Sequence, residues 1–289
     1  MERMTPRPLL GPGDVRRLLG EHGLAAHKGF GQNFVVDPNT VRKVVRDAGV
    51  SEGDLVCEIG PGLGSLTLAR REAGARVVAV EVDAGMVRAL AQTVGDDPGV
   101  RIVHADALEV ELAELLGGER ASLVANLPYN RATPLVLRCL AAGAFASLTV
   151  MVQREVGQRW TARRGAPLYA AVSVKISALS RARVVAPVSR SAFYPVPNVD
   201  SVTVRLEPLA WIHPISREDL FALVDAGFAQ RRKRLRIALA AGGGRRAAPK
   251  LGTAEVEAAL ERAELPPTAR AEELDLGGWV RLATELVGR

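Results

Sequence analysis

The sequence predicts an α/β protein with a mostly parallel, seven-stranded sheet and a small all-helical C-terminal part. Short apolar runs alternate with stretches of helical periodicity from Leu55 to Gln153, the pattern of successive βαβ units in a sheet covered on both faces. Beyond Pro208 to Pro214 the alternation stops and only helical spacing remains.

Taken in order, Val15 to Leu19 reads as a short helix and Lys28-Gly29-Phe30-Gly31-Gln32-Asn33-Phe34 as a glycine-rich segment. Asp37 and Pro38 form an N-cap and first-turn pair, and Val41, Val44, Val45 and Ala48 keep helical spacing until Gly49. Strands follow at Leu55 to Ile59, Arg76 to Val80, Arg101 to Ala105, Leu123 to Asn126 and Leu148 to Gln153. Between them lie helices at Leu66 to Ala73, Gly85 to Val94, Leu108 to Leu116 and Pro134 to Ala142. Val184-Val185 and Val199 to Leu206 are expected as a late pair of strands that adds an antiparallel edge. Later helices run from Leu220 to Leu239, Ala254 to Ala263 and Leu276 to Leu286. The expected division is a domain over residues 1–209, with a helical extension over 1–50, and a helical domain over 210–289.

A chain of 289 residues suffices for two domains and one sizeable core. It holds no run of about eighteen apolar residues, so no membrane span is expected. The mixed N-terminal stretch lacks the apolar centre of a secretory signal, and a cytoplasmic protein is expected. Cys57 and Cys139 fall in an apolar strand and an apolar helix, as inert core residues rather than a disulfide. The four histidines are scattered, which suggests no structural metal. Charge is uneven: residues 1–150 carry 16 Lys/Arg against 18 Asp/Glu, residues 151–250 carry 18 against 6, and residues 251–289 carry 4 against 8. The central excess suits a polyanion partner or, equally, a solvated arginine-rich surface.

Four successive strand ends gather the chemistry. Glu58-Ile59-Gly60-Pro61-Gly62-Leu63-Gly64 closes one strand and opens a helix, where glycines admit a ligand close to the backbone and the helix start offers free N–H groups. The spacing differs from G-x-G-x-x-G, and Glu58 would repel a phosphate, so a pyrophosphate cradle is disfavoured. Glu81, followed by Asp83, stands where an acid holds ribose hydroxyls, and Asp106-Ala107 can take an adenine amine. A nucleoside without phosphate, beside acids that tolerate positive charge, points to S-adenosylmethionine. The fourth strand ends in Asn126-Leu127-Pro128-Tyr129. The amide oxygen and the Leu127 carbonyl can accept the two N–H bonds of an exocyclic amine while the ring stacks on its base. In isolation a proline turn is the stronger reading of these residues, and the glycine loop is matched by an ordinary tight turn. Together the strand ends favour a pocket.

The chain resembles the small-subunit (16S) ribosomal RNA adenine N6,N6-dimethyltransferases, or kasugamycin-sensitivity methyltransferases, in order and spacing over about residues 27–240. The matching blocks are Gly31-Gln32-Asn33-Phe34, Glu58 to Thr67, Asn126 to Asn130, Met151 to Val156, Phe193 to Ser201 and Phe228 to Lys233. The resemblance implies a Rossmann-like class I methyltransferase sheet with a small all-α C-terminal domain. It implies that Asn33 and the Val35 backbone touch the methionine or adenine part of S-adenosylmethionine and that Gly60 lies under the methionine part, with Gln32, Glu58 and Gly62 also among the cofactor-binding residues. Glu81 would hold the ribose and Asp106 with Ala107 the adenine, with Val82 and Asn126 also among the cofactor-binding residues. Asn126 and the Leu127 carbonyl would hold the target N6, Tyr129 would stack on the base and Phe193 would close its other face, with Pro128 among the catalytic residues. The family transfers two methyl groups to each of two adjacent adenines near the 3′ end of 16S rRNA, in the immature 30S subunit. A monomer in solution is expected.

Direct in-line transfer to N6 needs orientation and amine polarisation more than a general base. Arg231, Arg232, Lys233, Arg234 and Arg236 are expected on one helix; they cannot all share a face, so some would contact RNA phosphate. Two departures from the family stand out: Val35 replaces a usual Leu, and Arg164 to Ala171 lacks the usual Pro-Gly start and Tyr-Gly-Arg-Leu run. Rival readings are a macrolide-resistance methyltransferase acting on 23S rRNA, a DNA adenine methyltransferase and a non-catalytic assembly factor.

Overall fold

The computed structural model describes residues 7–25, 33–240 and 252–287. By internal packing the chain forms two units: the residues up to Gly157 with Arg181–Pro208, and Gln158–Ser180 with the residues from Leu209 onward. The last crossing between units lies between Pro208 and Leu209. Residues 158–180, which the sequence reading gave to the first domain, pack with the helical unit instead.

In the first unit the strands are β1 (Phe34–Val35), β2 (Leu55–Ile59), β3 (Arg76–Glu81), β4 (Val100–His104), β5 (Ala121–Asn126), β6 (Phe145–Gln153), β7 (Ser180–Val188), β8 (Phe193–Tyr194) and β9 (Ser201–Pro208). Seven of them form one sheet in the order β4-β3-β2-β5-β6-β9-β7. The pairs from β4 across to β6 are parallel, and β9 runs antiparallel to β6. The late strands thus add an antiparallel partner to a parallel sheet, as the pattern predicts. β1 and β8 form a separate two-stranded sheet, with Phe34 opposite Tyr194 and Val35 opposite Phe193. Strands of two residues leave no periodicity to read, so only the fold reveals them.

The helices of this unit are α1 (Pro12–Glu21), α2 (Pro38–Asp47), α3 (Ser65–Glu72), α4 (Ala84–Val94), α5 (Leu112–Leu115) and α6 (Ala132–Ala141). Asp37 caps α2 by accepting from the Asn39 and Thr40 N–H groups, and Asp83 caps α4 from Gly85 and Met86. The helix expected from Leu108 shortens to α5, because Leu108 N–H donates to the Asp106 carboxylate and Glu109 N–H to the Asp106 carbonyl, both at 2.9 Å. Those two bonds wind a turn in place of the first helical turns. Val44, Val56, Leu66, Ala69, Val124 and Met151 share one buried cluster against the sheet. Cys57 and Cys139 are buried and unpaired, and burial pushes the Cys57 thiol up to about 12.

The second unit contains α8 (Ala171–Leu179), entered through α7 (Arg154–Trp160), then α9 (Arg217–Ala229), α10 (Leu235–Ala240), α11 (Thr253–Arg262) and α12 (Leu276–Val287). The continuous helix expected from Leu220 to Leu239 is broken. Lys233 N–H turns back to the Gln230 carbonyl and Leu235 N–H leaves for the Ala269 carbonyl, each at 2.8 Å. Arg234 pairs with Arg270 as an isolated bridge. These partners free the clustered cations from stacking on adjacent helical turns, where like charges repel. In the core of this unit Trp279 stacks on Phe228 at 5.8 Å, and Tyr169 meets Phe228 edge-on at 6.0 Å. Gly227 leaves room for the indole, since a Cβ there would lie 2.4 Å from Trp279. The Tyr169 hydroxyl donates to the Leu274 carbonyl at 2.8 Å, so the segment that departs from the family pattern carries a core residue of the helical unit.

Candidate active site

Strand order reverses between β2 and β5, the place where an open α/β sheet forms a crevice at its strand ends. Paired residues between these two strands stop at Cys57 and Leu123. On the outer sides pairing continues to Ile59 with Val80 and to Asn126 with Met151. A cavity of about 560 Å³ opens at these ends, lined by Asn33, Gly60, Gly62, Glu81, Asp106 and Asn126 among others.

The glycine loop makes its floor. Gly60 and Gly62 have φ of +68° and +54°, a region costly for residues with a Cβ. A Cβ on Gly62 would stand 2.9 Å from the Phe34 ring, and one on Gly60 would point at Pro128, 3.7 Å away. Bare backbone therefore separates the loop from the Asn126 turn. Val35, Glu58, Val82, Ala107 and Pro128 also line the cavity, and Val82 is 55 % exposed as an apolar wall.

Glu81 accepts from Val82 N–H at 2.9 Å and Asp83 N–H at 3.0 Å with one oxygen, and from Gly62 N–H at 3.2 Å with the other. A carboxylate offers about four acceptor sites, so one remains for a ligand hydroxyl. Burial raises the Glu81 pKa, and the three backbone donors oppose that rise. Asp106 is the contrasting acid. The Leu108 N–H, followed by Arg131, holds its carboxyl below the usual range. Arg131 reaches Asp106 Oδ2 at 3.0 Å and lines the cavity. The sequence reading missed it, although it follows the Asn126 turn directly.

Asn126 Nδ2 donates to the Asn33 carbonyl at 2.8 Å, which fixes the amide and leaves its oxygen for another donor. Arg131 N–H donates to the Pro128 carbonyl at 3.0 Å and closes the turn, while Leu127 N–H donates to Met151 at 3.3 Å. The Tyr129 hydroxyl bonds Ser201 Oγ at 2.8 Å, and burial raises its pKa. These contacts hold Asn126, Leu127, Pro128 and Tyr129 as one rigid corner.

Three expectations change. Glu58 is not a free acid facing a cation: it is 1 % exposed, bound by Thr67 Oγ1 at 2.5 Å, and paired with the fully buried Arg70 of α3. An arginine four residues after Leu66, on the buried face of a helix, was the available sequence signal. Phe193 does not line the cavity. It is 1 % exposed and packs among Val35, Val41 and Met151, because β8 pairs with β1 and turns its ring into the core. Phe193 thereby anchors the strand that follows Asn33. The basic cluster is split: Arg231 pairs with Glu272 at 3.6 Å and Arg236 with Glu257 at 3.2 Å. Arg232, Lys233 and Arg234 are exposed and form no ion pair among the described residues. Gln32 lies outside the described residues.

The family model described as ribosomal RNA adenine dimethylase matches residues 23–267. The chain belongs to that family. Ribosomal RNA small subunit methyltransferase A of Leifsonia xyli is 48 % identical over 291 residues, covering 97 % of this chain and 99 % of its own. Its counterpart in Thermobifida fusca is 47 % identical over 285 residues, covering 95 % of each. Among solved structures, the 23S rRNA methyltransferase ErmE has a TM-score of 0.63 at 26 % identity, covering 88 % of this chain and 99 % of its own. A dimethyladenosine transferase from Plasmodium falciparum has a TM-score of 0.69 at 21 % identity, covering 85 % and 94 %, and shares the fold. The dimethylase family's methyl donor is S-adenosylmethionine. The cavity fits that donor: Glu81 keeps an acceptor for ribose, Asp106 offers carboxylate oxygens to an amine, and the glycine floor has no Cβ to obstruct it.

Proposed function

We propose that this chain dimethylates N6 of two adjacent adenines near the 3′ end of 16S rRNA, acting as a cytoplasmic monomer on the immature 30S subunit. Membership of the dimethylase family makes it an S-adenosylmethionine-dependent rRNA adenine dimethyltransferase. The observation that carries the site assignment is the fixed Asn126 amide, held by Asn33 and facing the glycine loop across the crevice. When bound, S-adenosylmethionine supplies a methyl group on a sulfonium. The Asn126 oxygen and the Leu127 carbonyl accept the two N6 hydrogens, freeing the nitrogen lone pair from the ring for attack. Tyr129, anchored through Ser201, stacks on the unpaired base. The proton leaves to water as the alkylated amine becomes more acidic. Glu81 holds ribose, Asp106 and Ala107 hold the cofactor adenine, and Arg232, Lys233 and Arg234 supply phosphate contacts.

The small-subunit target rests on relatives at 48 % and 47 % identity named for that subunit, against 26 % for the 23S enzyme. Transfer of labelled methyl to immature 30S particles, 23S rRNA and naked DNA separates the readings. Label in the 30S particles alone is expected; label confined to 23S rRNA or DNA, or no transfer, overturns the proposal.

A further inference from the structure

We propose that Arg70 is a positioning residue that sets the width of the methyl-transfer crevice. This rests on the site assignment above and adds a residue that no site motif contains. The β2–β5 ladder ends at the pair Cys57 and Leu123. The next residue on β2 is Glu58, and the next on β5 is Val124. Arg70 binds both: its guanidinium pairs with the Glu58 carboxylate and donates to the Val124 carbonyl. Thr67, one helical turn earlier on α3, donates to the same carboxylate at 2.5 Å. A side chain thus supplies the rung that the backbones cannot make once the strands splay.

The strands it joins carry the two halves of the reaction. Gly60 lies two residues beyond Glu58, and Asn126 two residues beyond Val124. The boundaries on either side, β2–β3 and β5–β6, are closed by backbone pairing to Ile59 and Asn126, so the β2–β5 gap is the coordinate that Arg70 controls. The glycine loop is held on its far side by Gly60 N–H to the Val80 carbonyl at 2.9 Å and Gly62 N–H to Glu81 at 3.2 Å, which Arg70 does not touch. Cofactor affinity should therefore survive its loss while donor–acceptor alignment does not.

Arg70 and Glu58 are 0 % and 1 % exposed, beside Leu66, Ala69 and Val124, and apolar side chains in place of such a pair are commonly as stable or more so. A guanidinium spans a carboxylate and a carbonyl with two nitrogens of one rigid plane, whereas a lysine offers a single nitrogen on a flexible stem and an apolar chain offers none.

The test uses the full chain with immature 30S particles, measuring kcat, S-adenosylhomocysteine affinity and thermal midpoint for Arg70→Lys, Arg70→Met and the double variant Arg70→Met/Glu58→Met. Wild-type binding of S-adenosylhomocysteine and methyl transfer are the controls; their failure would count against the functional reading rather than against Arg70. Misalignment of about an ångström costs about 100-fold, so kcat should fall about 10- to 100-fold in all three variants, with affinity within about threefold in Arg70→Lys and Arg70→Met. The double variant should regain the midpoint lost by Arg70→Met without regaining kcat. Recovery of kcat together with the midpoint, or unchanged kcat in Arg70→Lys and Arg70→Met, would overturn the proposal and leave Arg70 a purely structural residue.

Discussion

Asn126→Ala removes two interactions of different kinds, and the structure lets their costs be separated. The first is the hydrogen bond from Nδ2 to the Asn33 carbonyl at 2.8 Å, between partly exposed groups that water can reach. Such a bond contributes about 0.5–1.5 kcal/mol, so cofactor affinity should weaken by no more than about tenfold. The second is acceptance of an N6 hydrogen, which strengthens as the amine attacks. Loss of one such preorganised partner costs about 2.7–4 kcal/mol, or about 100- to 1,000-fold in kcat. The rate should therefore fall at least about tenfold more than the affinity. Single-turnover methyl transfer to immature 30S particles at saturating cofactor gives the first quantity, and calorimetric titration of S-adenosylhomocysteine the second. Asn126→Asp divides the effect further: it retains an acceptor but cannot donate to Asn33, so affinity suffers while part of the rate is kept. A kcat within about fivefold of wild type in Asn126→Ala would refute the amine-holding role, because that ratio is about 1 kcal/mol, the size of the Asn33 bond alone.

Other consequences follow from local geometry. Gly62→Ala must adopt φ near +54° and press a methyl 2.9 Å from Phe34. Left-handed strain of about 1–2 kcal/mol and overpacking of about 1–3 kcal/mol should lower the denaturant midpoint and the affinity for S-adenosylhomocysteine, whereas normal values for both would contradict the close packing. Folding holds Asp37 below its ordinary pKa of 3.8, chiefly through the Thr40 hydroxyl, and Asp106 through the Leu108 N–H. A carboxyl lowered on folding stabilises the fold above its unfolded pKa and loses that contribution as pH falls toward the folded value. Stability should therefore drop below about pH 4, and Asp37→Asn, which retains a cap, should flatten that drop in acid denaturation. An unchanged acid slope would sink this account of Asp37. Changing Arg232, Lys233 and Arg234 to Gln should reduce the salt slope of RNA binding by about two to three. The same change at Arg231 and Arg236, each already ion-paired, should do less. Equal slopes for wild type and the triple variant would exclude the turn as a phosphate site.

Much of the cavity's lining was legible because strand ends are legible. Gly60, Glu81, Asp106 and Asn126 each close an apolar run, and a parallel sheet brings such ends to one edge. The partners of Arg131 and Arg70 were not legible: helical spacing marks Arg70 as buried, but nothing in the spacing of an arginine says which carboxylate it will meet. Phe193 shows the opposite error. Its motif marks the residue, but its orientation follows from pairing with Val35, far away in the chain. The basic run shows a third case: helical periodicity joined Leu220 to Leu239, and backbone bonds to Ala269 and Arg270 broke it.

Local chemistry is what the sequence alone determined: the α/β alternation, the capped helix starts, the glycine floor and the amide–proline–aromatic corner. Each depends on residues within a few positions of one another, where periodicity and side-chain type dominate the free energy. The tertiary structure decided the long-range pairings: which strands splay to make the crevice, that Glu58 is neutralised by Arg70, that Phe193 faces the core, and that 158–180 folds with the helices. Those choices depend on burial and on hydrogen-bond partners that become neighbours only when the chain is folded, so no stretch of sequence contains them.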